Sequence, residues 1–190
     1  MRDDRRVHFG MATPRLEIVT LYRYFAYAAH MRDLFRQSVT VEMLKELSAD
    51  EQGLVCLFYS TPGLYLLYSY SGLYLVVEGW QDLKLTDAKV DALIASPYVE
   101  RLKRFRNATF HYQKVVISPK HLEFFGTEEE KTEEWVGQLY DELARFFREN
   151  TLPLPPDLKG SLKGKEHLNV ALTIRQALRN GGVVSPDSPQ

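Results

Sequence analysis

Gly53-Leu54-Val55-Cys56-Leu57-Phe58-Tyr59-Ser60-Thr61-Pro62-Gly63-Leu64-Tyr65-Leu66-Leu67-Tyr68-Ser69-Tyr70-Ser71-Gly72-Leu73-Tyr74-Leu75-Val76-Val77 is a run of 25 residues without a charge. Its length would let one helix cross a bilayer, so its reading decides the fold. Pro62 and Gly63 interrupt it, and five tyrosines (Tyr59, Tyr65, Tyr68, Tyr70, Tyr74) are spread along it rather than gathered at its ends, where interfacial tyrosines belong. Ser60-Thr61-Pro62 reads as a helix start, with proline at the first helical position. The stretch therefore reads as two buried helices, not a membrane span. In the second of these, Leu66, Tyr70, Leu73 and Val77 form an apolar stripe. Ser69, Gly72, Val76 and Gly79 form a face small enough for another helix to approach closely.

Outward from this run the apolar period is helical nearly everywhere. A long helix is expected over 15 to 37, with Ile18, Leu21, Tyr22, Phe25, Ala28 and Ala29 on one stripe. A short amphipathic turn or helix follows at 41 to 47, and then the two helices at 52 to 60 and 62 to 83. Thr86 and Asp87 open a short helix to Ala95, and Pro97 separates it from a helix over 98 to 114. Val115-Val116-Ile117 and Ser118-Pro119 end that helix, with a short extended segment to follow. Thr127-Glu128-Glu129-Glu130 is a capping box with acid in the first turn, and its helix runs to Asn150, burying Val136, Leu139, Leu143 and Phe147. Thr151 to Pro156 is a proline linker before a final basic helix at 164 to 179. The domains expected are thus a disordered extension at 1–14, a helical domain at 15–150, linker and helix at 151–180, and a disordered tail at 181–190. With no alternating strand pattern, the fold class is all-α, a helical bundle of four to six helices with no substantial sheet.

The chain has 190 residues and a net charge of −1. It is not a constitutive nucleic-acid coat, and any RNA partner must use a local patch. Cys56 is the single cysteine, which excludes an internal disulfide or a Cys-based zinc cluster and suits a reducing cytoplasm. Its apolar neighbours predict a buried structural thiol. The charged N-terminus has no apolar core after it, so it is not a signal peptide, and Met11 offers an alternative start.

Between Arg101 and His121 there are six basic residues (Arg101, Lys103, Arg104, Arg106, Lys114, Lys120) and no acid. Between Thr127 and Asn150 there are eight acids and three bases. Charge alone favours two solvated faces that attract each other; the sharper reading is a basic groove for a polyanion. Tyr98, Leu102, Phe105, Thr109 and Tyr112 share one helical face, taken as the core side. His111 then points elsewhere, alongside Asn107, Arg104 and Ala108. At ~100° per residue, Arg106 lies about 140° around the helix from His111. Either the helix is distorted here or the two meet across a dimer.

Arginine, asparagine and histidine together support RNA transesterification without a metal. An imidazole exchanges a proton near neutral pH, so His111 can take the ribose 2′-OH proton or protonate the leaving 5′ oxygen. Arg106 can hold the scissile phosphate, and Asn107 can orient the imidazole or bind phosphate. Arg104, Lys103, Arg101 and Lys114 are the expected substrate-binding cations. The residues call for neither metal nor cofactor. Glu78 can approach from the helix over 62 to 83, where a salt bridge to Arg104 or Arg106 outweighs a catalytic role. His30, His121 and His167 lack such company.

Arg106-Asn107-x-x-x-His111 resembles the signature of the HEPN superfamily, an arginine followed after four to six residues by histidine, often with asparagine next to the arginine. The resemblance covers about residues 15 to 150. It implies a helical bundle, a homodimer whose two motifs face each other, and metal-independent endoribonuclease activity of toxin or defence type. It also implies an antitoxin or nucleotidyltransferase partner, or else a catalytically silent module binding a protein or nucleotide. Some members carry a tyrosine two residues after the histidine for modification by the nucleotidyltransferase. Here that position is Gln113, with Tyr112 beside His111, which puts that form of silencing in doubt.

Overall fold

In a computed structural model, which describes residues 16–40, 43, 51–124 and 129–151, the uncharged run divides at Ser60. The Ser60 Oγ accepts from Gly63 N at 3.1 Å and donates to the Leu57 carbonyl at 2.6 Å. The serine thus caps one helix while closing the one before it. Among the described residues there are seven helices: α1 (Leu16–Ser38), α2 (Glu51–Tyr59), α3 (Thr61–Asp82), α4 (Ala88–Ile94), α5 (Tyr98–Phe110), α6 (Pro119–Phe124) and α7 (Glu129–Asn150). The described residues form no strand, and the all-α class holds, with seven helices among them instead of the four to six expected. No described helix is long and apolar enough to cross a membrane.

α3 is the centre of the bundle. Its expected stripe, Leu66, Tyr70, Leu73 and Val77, is buried, and its small face meets α1 closely. A Cβ on Gly72 would lie 3.0 Å from the Ala28 Cβ, and one on Gly79 would lie 2.5 Å from Leu21 Cδ1. Opposite them, α7 contributes Phe147 against Tyr22 and Phe25, and Phe146 against Trp80. The Tyr140 hydroxyl donates to the Ser69 carbonyl at 3.1 Å, which leaves the Ser69 Oγ to donate back to it at 2.9 Å. Burial pushes Tyr140 up to about 12, so this lock is neutral at any ordinary pH.

α4 is capped by Asp87, as its sequence signals, the carboxylate accepting from Lys89 N and Val90 N. Arg145 of α7 donates to Asp87 at 2.6 Å and to Glu142 and Glu149. This bond, together with the two backbone donors, holds the Asp87 carboxyl below its usual range.

Three further expectations are corrected. α5 ends at Phe110, not at 114. Ser118-Pro119 opens a helix, α6, instead of preceding an extended segment: the proline stands at its first position and the Ser118 carbonyl accepts from His121 N at 2.9 Å. Cys56 is exposed, because α2 turns Leu57 inward and the neighbouring position lies about 100° around the helix. Most of the turn at 41 to 47, the capping box at Thr127, the proline linker and the helix at 164 to 179 lie outside the described residues.

Candidate functional site

α5 buries Leu102, Phe105 and Ala108. Tyr98 and Thr109 are only half-buried and Tyr112 is 91% exposed. The expected core face is therefore right at its centre and wrong at its end. Having left the helix at Phe110, the chain carries Tyr112 into solvent, and Ala108 faces the core rather than sharing an open face with His111. α5 runs antiparallel to α3, with Phe105 on Tyr70 and Phe110 on Tyr68.

Arg106 faces α3. Its Nη2 donates to both carboxylate oxygens of Glu78, at 2.9 and 3.0 Å, and its Nη1 donates to Asn107 Oδ1 at 3.0 Å. The guanidinium lies over the Tyr74 ring, 5.0 Å from its centroid, and its Nε is buried without a partner. Burial raises the Tyr74 hydroxyl, and the Glu78 carboxylate adds to the rise. The salt bridge to Glu78 is the bland role foreseen for that acid. Tyr74, one turn before Glu78 on the same face of α3, is the partner that the sequence reading missed. That i, i+4 spacing is the signal that could have found it.

His111 is the first residue past the helix, with φ −108° and ψ 139°. Its amide donates to the Asn107 carbonyl at 3.0 Å, and its own carbonyl accepts from Gln113 Nε2 at 2.7 Å. The side chain is exposed and has no hydrogen-bond partner among the described residues. Arg106 and Asn107 are thus brought together in one chain, and the imidazole hydrogen-bonds to neither side chain. Five residues at ~1.5 Å per residue put about 7.5 Å of helix between the two ends of the motif. Around His111 the surface is apolar: Phe110, Tyr112, Val115 and Val116 are all exposed.

The remaining expected cations are spread along α5 and beyond. Arg104 pairs with Glu123 at 3.2 Å and Glu100 at 3.9 Å, and Lys103 with Glu100 at 3.8 Å. Arg101 lies over the Tyr98 ring. Lys114 is exposed, and no ion pair joins it among the described residues. The acid-free run is bounded by Glu100 and Glu123, and Arg104 and Lys103 fold back onto those two carboxylates.

His121, which drew no role, lies in the core against Phe105 and Phe58. Thr109 Oγ1 donates to the Phe105 carbonyl at 3.1 Å, so it accepts from His121 Nε2–H at 3.2 Å. Nδ1 is left as an unpartnered buried acceptor. Among the described residues, no cluster of three or more His, Cys, Asp or Glu is placed to hold a metal ion. No protein-family model, curated protein or solved structure matches the chain.

Proposed function

We propose that the end of α5 is an RNA-cleaving site of HEPN type, completed when two copies of the chain bring their motifs together in the cytoplasm. The observation that carries this reading is the exposed, unpartnered imidazole of His111 at the end of the helix that also bears Arg106 and Asn107. A neutral imidazole there takes the ribose 2′-OH proton. The 2′ oxygen attacks phosphorus, the bond to the 5′ oxygen breaks, and that oxygen takes up a proton, leaving a 2′,3′-cyclic phosphate. Arg106 stabilises the charge on the phosphoryl oxygens, and Asn107, bonded to Nη1, fixes the plane of the guanidinium. Glu78 is a positioning residue that competes with phosphate for Nη2. Lys114, Arg104, Lys103 and Arg101 supply the electrostatic approach. An antitoxin is the partner that keeps such a site silent, because Gln113 stands where a modifying nucleotidyltransferase would need a tyrosine.

A second reading is favoured by one observation, the engagement of the two Arg106 terminal nitrogens and the guanidinium face with Glu78, Asn107 and Tyr74. On it the motif is a structural clasp, and the exposed apolar residues beyond Phe110 bind a protein partner.

Cleavage of end-labelled structured RNA in EDTA separates the two. The transesterification reading predicts cleavage by the wild-type chain, lost in His111→Ala with the helical circular dichroism unchanged. The clasp reading predicts no cleavage, and RNA binding that is weak at every salt concentration rather than falling steeply with salt.

A further inference from the structure

We propose that the cleft between α1 and α3 is the docking site of the chain's own basic C-terminal segment, residues 162–179. The cleft has a volume of about 600 Å³ and lies between the first half of α1 and the last half of α3. Gly79 and Leu21, in close approach, form its floor. Its apolar wall includes Leu16, Tyr24 and Leu83, and its rim carries three acids, Glu17, Glu78 and Asp82, with no base in the lining. Leu16 is 77% exposed and Tyr24 41%, so apolar surface is open to water beside the carboxylates of Glu17 and Asp82, while Glu78 is held by Arg106. The occupant that fits is an amphipathic, cationic helix.

The chain carries such a segment. Val170, Ile174, Ala177 and Leu178 recur at i, i+4, i+7 and i+8, an apolar stripe if helical. Lys163, Lys165, Arg175 and Arg179 accompany it against a single acid, Glu166. The described chain also ends in the right place. In the last turns of α7, Phe147 lies on Tyr22 at 5.4 Å and Phe146 on Trp80 at 4.5 Å. Tyr22 and Trp80 each follow a floor residue, Leu21 or Gly79, and lie about 100° around the helix from it, so the chain leaves α7 beside the same two helices and has to round them to reach the cleft. From Thr151 the residues 152–161, at ~3.3 Å each, reach about 33 Å, roughly three times the ~10 Å diameter of a helix. The N-terminal residues adjoin Leu16 directly and carry Arg2, Arg5, Arg6 and Arg15 beside Asp3 and Asp4, but they have no helical apolar stripe.

Zero-length carbodiimide cross-linking of the full chain, mapped by mass spectrometry, tests the assignment. The expected result is Lys159, Lys163 or Lys165 joined to Glu17 or Asp82, with loss of that product in the full-length Ile174→Asp/Leu178→Asp variant. Circular dichroism of the variant verifies that the bundle is intact, and should it fail to fold, Leu178→Asp alone replaces it. Mixing isotopically labelled and unlabelled chains identifies the source of the lysine. A mixed-label product means that a second copy occupies the cleft and overturns the assignment to the chain's own segment. It is equally overturned if no such product forms, if the product persists in the variant, or if the N-terminal amine takes the lysines' place.

Discussion

His121 gives the single-residue account its clearest pH dependence. Burial pushes its pKa down to about 4, whereas an unfolded histidine titrates at about 6.5. Between these values the unfolded chain binds a proton that the folded chain refuses. Its contribution is therefore complete above pH ~6.5 and lost as the pH falls towards about 4, a change of about 3 kcal/mol. Denaturation of wild type and His121→Phe at pH 7 and pH 4.5 checks this: the wild type should lose more stability than the variant by about that amount, and equal losses would contradict it. Arg106 and Glu78 make a second prediction. Their side chains are 21% and 42% exposed, so solvent screens the pair and a double-mutant cycle of Arg106→Ala and Glu78→Gln should give a coupling of about 1 kcal/mol. Because Glu78 competes with phosphate for Nη2, Glu78→Gln should tighten RNA binding and Arg106→Ala weaken it, measured by fluorescence titration. The pairing of Arg106 with Glu78 was legible as charge and position. The exposure of His111 was expected for the wrong reason, since it follows from the end of the helix rather than from the face.

Helix ends decide most of what an element-level reading recovers. Ser60 and Asp87 are caps whose side chains satisfy the orphan amides they precede, and both were readable because that chemistry is local. The end of α5 was not, because no glycine or proline marks it; the expected last residue, at 114, lay four residues beyond Phe110. Ser118-Pro119 carries nearly the same start signal as Ser60-Thr61-Pro62, and reading it only as a stop cost the recognition of α6. The end of α3 supports a test. Lys84 N donates to the Gln81 carbonyl and Leu85 N to the Trp80 carbonyl, a Schellman turn that holds Lys84 at φ 52°, the left-handed region that favours glycine. Lys84→Gly should raise stability by about 1 kcal/mol. Gly63→Ala should do the opposite: its Cβ would lie 1.9 Å from the Leu57 carbonyl oxygen, a backbone atom that cannot rotate away. A loss of more than about 2 kcal/mol in chemical denaturation is expected, and a neutral result would show that the α2–α3 junction is not held as described.

At the scale of the whole molecule, the all-α bundle was legible because apolar spacing and uncharged length are properties of the chain itself. The partners of the basic run were not, because Glu100 and Glu123 lie just outside the window that made the run look acid-free. A dimer would cover Phe110, Tyr112, Val115 and Val116 around His111, so sedimentation of the full chain should show a dimer that Tyr112→Asp/Val116→Asp converts to monomer. The proposed site stands or falls on transesterification by His111 without a metal. Its most direct measurement is cleavage in EDTA of an RNA and of the same oligonucleotide carrying one 2′-deoxy nucleotide at the cleaved step. The account predicts a 2′,3′-cyclic phosphate end from the first, no cut at that step in the second, and no cut of either by His111→Ala. Cleavage that survives the 2′-deoxy substitution or the loss of His111, or an intact RNA after incubation with the wild-type dimer, would contradict it.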